Sequence, residues 1–459
     1  MTRRALLGGV TGALGLAAVG IGTAQAAPTA SRGAGRLDRE SYVALPVGRG
    51  GGPAETDAVR VLQVGPPAAE TVLVLVPGQF GAANDFRLLA RDLVAAVPGL
   101  QVWAFDRREQ GLADLTGFTT PDPIGYYLDD HYRTQDPAAS AFVADWGLAR
   151  TLSDLRAVVH AAAAGGRRRV VLGGHSWGAT TTLAYAAWDF GGRAGYRDLS
   201  GLVLIDGGVH GAFVGGGYDP DISPERVRER LTAVSAGAVF DMSLAATGLG
   251  SRAESSQIWY QLAGWYACRD PHARSVLQPR LPAHLTLPYP VTNAALLGTL
   301  VDESFGWPND ITVHSGHIAG SGAVRGWVND GITPIERVAA AYAGPDPVVW
   351  EWYWPARLTV DLDVVDPYAD TDLARSLGLR LGHTGELDVP LYAFETSASQ
   401  GTVVSSTKWV VANSRVPSAT YQTDNGMNHL DPLFASTSSN TFTHTVVPFL
   451  AQLAQGRAR

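Results

Sequence analysis

Two rhythms of hydrophobic and polar positions run along this chain. Short apolar runs recur at residues 41–45, 59–64, 71–76, 101–105, 170–172, 199–205, 389–394, 409–412 and 419–423. They are rich in Val, Leu and Ala and are mostly flanked by Gly, Pro, Asn or Asp, the pattern of β-strands. The run TVLVLV at 71–76 is apolar beyond its first residue, so it is expected at the centre of a sheet covered on both faces. The second rhythm has a period of three to four residues. It places Phe86, Leu89, Leu93 and Val97 on one helix face, and Leu148, Leu152, Leu155 and Val159 on another. Asn84 is expected to cap the first helix and Asp145 to open the second. Further helices are expected over 177–188 and, closing the chain, over 442–453. Strands alternating with helices predict an α/β architecture around a mostly parallel, doubly wound sheet.

The alternation breaks in two places. Residues 112–144 are rich in Pro, Asp and Tyr with little periodicity, and are expected to form an excursion beside the active-site mouth. After the strand at 199–205, roughly 180 residues pass before the next core-like strand, too many for a structureless loop. Helix signals occur within them: Ser223-Pro224 opens one, and Thr333-Pro334-Ile335-Glu336 reads as a capping box. The chain therefore divides into a core over 41–209, a mainly helical insertion over 210–385 and a second core part over 386–459. The insertion is aromatic, with Trp259, Tyr260, Trp265, Tyr266, Trp307, Trp327, Trp350, Trp352, Tyr353 and Trp354. About half should be its own core, and the rest should wall a pocket for a bulky apolar or aromatic group.

Candidate chemistry concentrates behind the run at 170–172. There Gly174-His175-Ser176-Trp177-Gly178 separates a strand from a helix, the G-x-S-x-G pattern in the context it requires. Glycine at 174 and 178 allows a turn so sharp that a Cβ at either place would clash. The Ser176 hydroxyl then stands at the positive end of a helix, where a developing oxyanion is stabilised.

With these residues the chain resembles the α/β-hydrolase family, with the insertion in the place of a lid. The resemblance implies a serine nucleophile at Ser176 and a general-base histidine in the loop after the last strand, where Asn428-His429-Leu430-Asp431-Pro432 stands. It implies an oxyanion hole made by the backbone N–H of Trp177 and of the loop Pro77-Gly78-Gln79-Phe80-Gly81. Proline replaces the histidine usual in that loop, so the carried-over donor is Gln79, with Phe80 as the alternative. The acid is left open. Relatives carry it either beyond the strand after the lid, where Glu395 is the nearby carboxylate, or at the end of the strand before the lid, where Asp206 precedes two glycines. Asp206 is favoured, although it could simply brace the turn, and Asp424 is a weak third. The implied activity is ester hydrolysis through an acyl-enzyme. An amide or peptide hydrolase and an acyltransferase share the same residues, and a non-catalytic lidded binding protein is the alternative of another class.

Composition narrows this further. The net charge of −8 speaks against a nucleic-acid partner. A single cysteine, Cys268, excludes an internal disulfide and is expected to be a small buried residue. No cofactor or metal is expected. The acidic run Asp361, Asp363, Asp366 and Asp370 lacks the glycine and terminal glutamate of a calcium loop. Asp106, at the end of another strand, is given no catalytic role. The N-terminus, with Arg3-Arg4, an apolar run and Ala24-Gln25-Ala26, resembles a twin-arginine export signal over 1–26, followed by a loop-like leader over 27–40. The apolar run is short for a membrane span, so a cleaved signal and no stable anchor are expected.

Overall fold

The computed structural model describes residues 40–305, 312–344, 346 and 348–456. The expected export signal, the leader up to residue 39 and Trp307 lie outside the described residues. Glu40, placed in the leader by the sequence, begins the first strand.

Ten strands are present among the described residues: β1 (Glu40–Pro46), β2 (Ala58–Val64), β3 (Thr71–Val76), β4 (Leu100–Asp106), β5 (Arg169–His175), β6 (Gly201–Ile205), β7 (Gly316–Ala319), β8 (Gly326–Asn329), β9 (Leu391–Thr396) and β10 (Ala419–Asp424). Eight form one sheet in the order β1-β2-β4-β3-β5-β6-β9-β10. The pairs β1/β2 and β2/β4 are antiparallel and the others parallel. This is the α/β-hydrolase fold. Every residue of β3, β4, β6 and β9 is buried, as the unbroken apolar runs required. Helices flank the sheet: Arg87–Ala96 packs against Thr441–Ala454, and Leu148–Ala163 against Trp177–Ala187.

Between β6 and β9 the chain builds helices at Pro224–Ser235, Ser255–Arg269, Asn293–Val301, Ile335–Tyr342 and Ala356–Val365, with β7 and β8 as a small hairpin. This insertion is tied to the core through backbone bonds. Ala82 N donates to Val349 O (3.0 Å), Asn84 N to Val348 O (3.1 Å) and Glu351 N to Phe80 O (2.7 Å).

Several local expectations change. Residues 409–412 are helical, the end of Thr402–Ala412, because the buried positions Val403, Ser406, Thr407 and Val410 follow the helical period. Asn84 does not cap. It lies inside a 3₁₀ turn, Ala83–Phe86, and its amide donates to Ala341 O, while Asp106 accepts from Ala83 N (2.5 Å). Asp145 precedes its helix, which starts at Leu148 with the N–H donated to Asp361 (2.9 Å). The capping box at Thr333 is not formed. Its hydroxyl donates to Asp431 (2.6 Å), and Asn329 accepts from Ile335 N (2.9 Å) instead. Cys268 is exposed, since the largely buried helix Ser255–Arg269 surfaces in its last turn.

Candidate active site

Five of the sheet's loops converge at the carboxyl ends of β3, β5, β6, β9 and β10, the edge where open α/β sheets hold their ligands. β5 ends at His175, and the helix Trp177–Ala187 begins two residues later. Ser176 alone makes the turn, with φ 56° and ψ −128°, a sparsely populated conformation for a residue with a side chain. A Cβ on Gly174 would run into the Gly178 carbonyl, and one on Gly178 into the Val76 carbonyl, so the turn requires both glycines. Across the cavity, a Cβ on Gly78 would stand 2.8 Å from Ser176 Cβ and 3.3 Å from its Oγ. The strained backbone is held on both sides: Ser176 N donates to Ile205 O (2.9 Å), and its carbonyl accepts from Ala179 N (2.8 Å).

Asp206 follows β6 in the left-handed region, with φ 45°, and is only 2% exposed. Its carboxylate accepts from His429 Nδ1 (2.6 Å), Thr396 N (2.8 Å), Thr396 Oγ1 (2.5 Å) and Ser399 Oγ. Burial would raise its pKa, but the bonds from His429, Ser399 and Thr396 outweigh it and hold it at about 2. Glu395 goes elsewhere. It lies within β9 and accepts from Val404 N (2.7 Å) and Thr423 Oγ1 (3.4 Å), with burial raising its pKa. Asp424 accepts from Gly426 N (2.8 Å) in the next turn. Of the three carboxylates considered from sequence, Asp206 is the one beside His429.

Three supporting residues escaped the sequence reading. Thr396 and Ser399 lie at and just beyond the end of β9, and both donate to Asp206. His175, the variable residue of the serine pattern, donates Nε2–H to the His429 carbonyl (2.8 Å), with ring centroids 4.3 Å apart. Burial, with His429 adding to it, lowers the His175 pKa to about 3, so it is a neutral donor. The histidine loop is anchored from below by Asp431, which accepts from Asn428 N (2.6 Å), Thr333 Oγ1 (2.6 Å) and His314 N (2.9 Å).

The loop after β3 turns tightly, with Gly81 N donating to Gly78 O (3.3 Å) and Phe80 at φ 59°. Arg107 fixes its first residue: Nη2 donates to Pro77 O (2.7 Å), Nη1 to Glu351 (2.9 Å), and the guanidinium lies 4.6 Å from the Trp354 ring centre. Gln79, Phe80 and Trp177 all line the cavity at Ser176, and their backbone N–H groups make no hydrogen bond among the described residues.

The cavity encloses about 150 Å³ and holds Ser176, His429 and Asp206 in its wall. Its aromatic lining is Phe80, Trp177, Phe213, Tyr218, Tyr342 and Trp350. Of the insertion aromatics named from the sequence, Trp350 is among these lining residues and no other described one is. Trp259, Trp352, Tyr353 and Trp354 are core, and Tyr260 stacks on Trp350 at 5.1 Å. Phe213, Tyr218 and Tyr342 were missed, being single aromatics with no run to mark them. Residues 112–144 contribute nothing to this lining. Instead Phe118, Tyr127 and Tyr132 pack against Trp265 and Trp352, so the excursion braces the insertion. The acidic run is committed to protein partners: Asp361 to Arg357, Asp363 to Tyr218 and Arg230, Asp366 to Gly211 N, and Asp370 to Arg375. Asp106 accepts from Tyr42 and Ala83, a bracing role.

No protein-family model and no curated protein sequence matches this chain. Solved structures do align. A protein of Sulfolobus solfataricus provisionally named a lipase is 16% identical, covering 90% of this chain and 94% of that one, with a TM-score of 0.49. An epoxide hydrolase from an endophytic Streptomyces is 13% identical over 91% and 96%, with a TM-score of 0.45. A lipase in an open form is 14% identical over 91% and 99%, with a TM-score of 0.41. Likenesses this distant say nothing of the reaction.

Proposed function

We propose that this chain is a secreted serine hydrolase that cleaves carboxylic esters through an acyl-enzyme on Ser176. One observation carries the reading: a strained serine at a helix N-terminus shares a cavity with a histidine whose Nδ1 is held by a buried, ionised carboxylate. In this reading His429 takes the Ser176 proton as Oγ attacks the ester carbonyl. The oxyanion is met by the N–H of Trp177 and of Gln79 or Phe80, a contribution of about 3–4 kcal/mol per donor. His429 then returns the proton to the departing alcohol, and water repeats the sequence on the acyl-enzyme. Asp206 keeps the imidazole in the tautomer that presents Nε2 to serine. The aromatic lining suits a bulky apolar or aromatic substrate group.

Ser176→Ala tests this: ester turnover should vanish while the fold persists, and wild-type turnover in that variant would remove Ser176 from the chemistry. Export through the twin-arginine-like N-terminus is part of the proposal. Arg3→Lys with Arg4→Lys should block it, and a mature protein outside the cell should begin at Ala27. Sequencing that finds Met1 there would overturn the export reading.

A further inference from the structure

Asp85 is a carboxyl group in the cavity wall that the proposed chemistry does not use. It lies in the 3₁₀ turn Ala83–Phe86, directly after the loop assigned to the oxyanion, and is 9% exposed. Its Oδ2 stands over Gly81, where any Cβ would meet it. Among the described residues no side chain hydrogen-bonds to this carboxyl; the one donor that reaches it, the Ala82 N–H, is already given to Val349 O (3.0 Å). Tyr342 stands beside it at the end of the helix Ile335–Tyr342. It too lines the cavity, and its hydroxyl makes no hydrogen bond among the described residues. The Asn84 amide, donating to Ala341 O, fixes these two elements against each other. Buried polar groups in native proteins are almost always paired. These two polar groups line one cavity, Asp85 with only a shared backbone donor and Tyr342 with none, so both are open to what enters it.

We infer that Asp85 and Tyr342 form a polar subsite that binds an uncharged oxygen of the substrate, a hydroxyl or carbonyl, and so select oxygenated esters over plain hydrocarbon ones. The inference deepens the ester-hydrolase reading and rests on it for where the substrate lies. Burial raises the Asp85 pKa well above its usual value, with Asp106 adding to the effect and the Ala82 N–H and Arg107 opposing it; this favours the neutral acid, which donates one hydrogen bond and accepts another. A cationic ligand would have to expel that proton from a buried site beside a second carboxyl group. An anion finds no Lys or Arg in the lining.

The test uses esters of a four-carbon acid and a four-carbon alcohol in which one chain at a time ends in methyl, hydroxymethyl or trimethylammonium. Turnover is read as acid release, and binding to Ser176→Ala by calorimetry. In one of the two arms the hydroxymethyl ester should exceed its methyl counterpart about tenfold in kcat/KM and in affinity, the value of one satisfied hydrogen bond. Asp85→Asn, which keeps an uncharged donor and acceptor, should hold that ratio within about threefold. Asp85→Ala and Tyr342→Phe should each bring it toward one. Equal handling of methyl and hydroxymethyl esters by the wild type in both arms overturns the subsite, as does a preference for trimethylammonium. The wild-type ratio decides the matter even where a variant fails to fold. No turnover of any ester, with the binding ratio intact, would instead fault the reading of Ser176.

Discussion

Asp206 Oδ2 lies 2.6 Å from His429 Nδ1, although 223 residues separate the two in the chain. Nothing local joins them. β6 delivers the carboxylate, the loop after β10 delivers the ring, and Thr396 and Ser399 orient the carboxylate from a third element.

Asp206→Asn should therefore lower ester turnover by about four orders of magnitude, because an amide at this position favours the wrong imidazole tautomer. Glu395→Gln should stay within about threefold of wild type, since that side chain serves Val404 and Thr423. Steady-state kinetics on one activated ester compares them. A crippled Glu395→Gln beside an active Asp206→Asn would place the acid after the insertion.

Arg107 joins the loop after β3 to the insertion from a fully buried position. Its partner Glu351 is buried as well, both side chains being 2% exposed, and Glu109 shares the site. Arg107→Met would strand buried carboxyl groups and should cost about 3–5 kcal/mol in urea denaturation. Adding Glu351→Gln should recover part of the loss. A single variant within 1 kcal/mol of wild type would show that the clamp contributes little.

Asp106 and Asp206 should shape the pH dependence of stability in opposite directions. Burial raises Asp106 to about 7 despite the bonds from Tyr42 and Ala83. In the unfolded chain it titrates near 4, so its contribution is greatest below about pH 4 and is lost as pH rises through 7. Asp206, held at about 2, contributes stability above about pH 4 that is lost as pH falls toward 2. Asp106→Asn keeps an acceptor for Ala83 N and removes the charge. Relative to wild type it should gain about 3 kcal/mol between pH 4.5 and pH 8. Parallel stability profiles for the two proteins would contradict the assignment.

The sequence showed the strands of the sheet and the turn at Ser176 because both are local. An unbroken apolar run and a glycine on each side of one serine need no partner to be recognised. Helix starts were misread for the opposite reason. Asp106, Asp361 and Asn329 serve the N-termini at Ala83, Leu148 and Ile335, and two of the three come from elsewhere in the chain. The choice between Asp206 and Glu395 turned on side-chain direction. Glu395 pairs with Thr423 in the β9/β10 register and faces the helix Thr402–Ala412, which no composition rule reveals. That helix was itself hidden, because Ser406 and Thr407 put polar residues on its buried face.

The proposed chemistry requires that Ser176 be a nucleophile activated by His429. Treating the purified protein with a fluorophosphonate and mapping the adduct by peptide mass spectrometry tests it most directly. The expected result is one stoichiometric adduct, on Ser176, absent from Ser176→Ala and slowed by at least about a thousandfold in His429→Ala. An unlabelled Ser176 in a protein that still hydrolyses esters, or labelling that proceeds undiminished in His429→Ala, would contradict it.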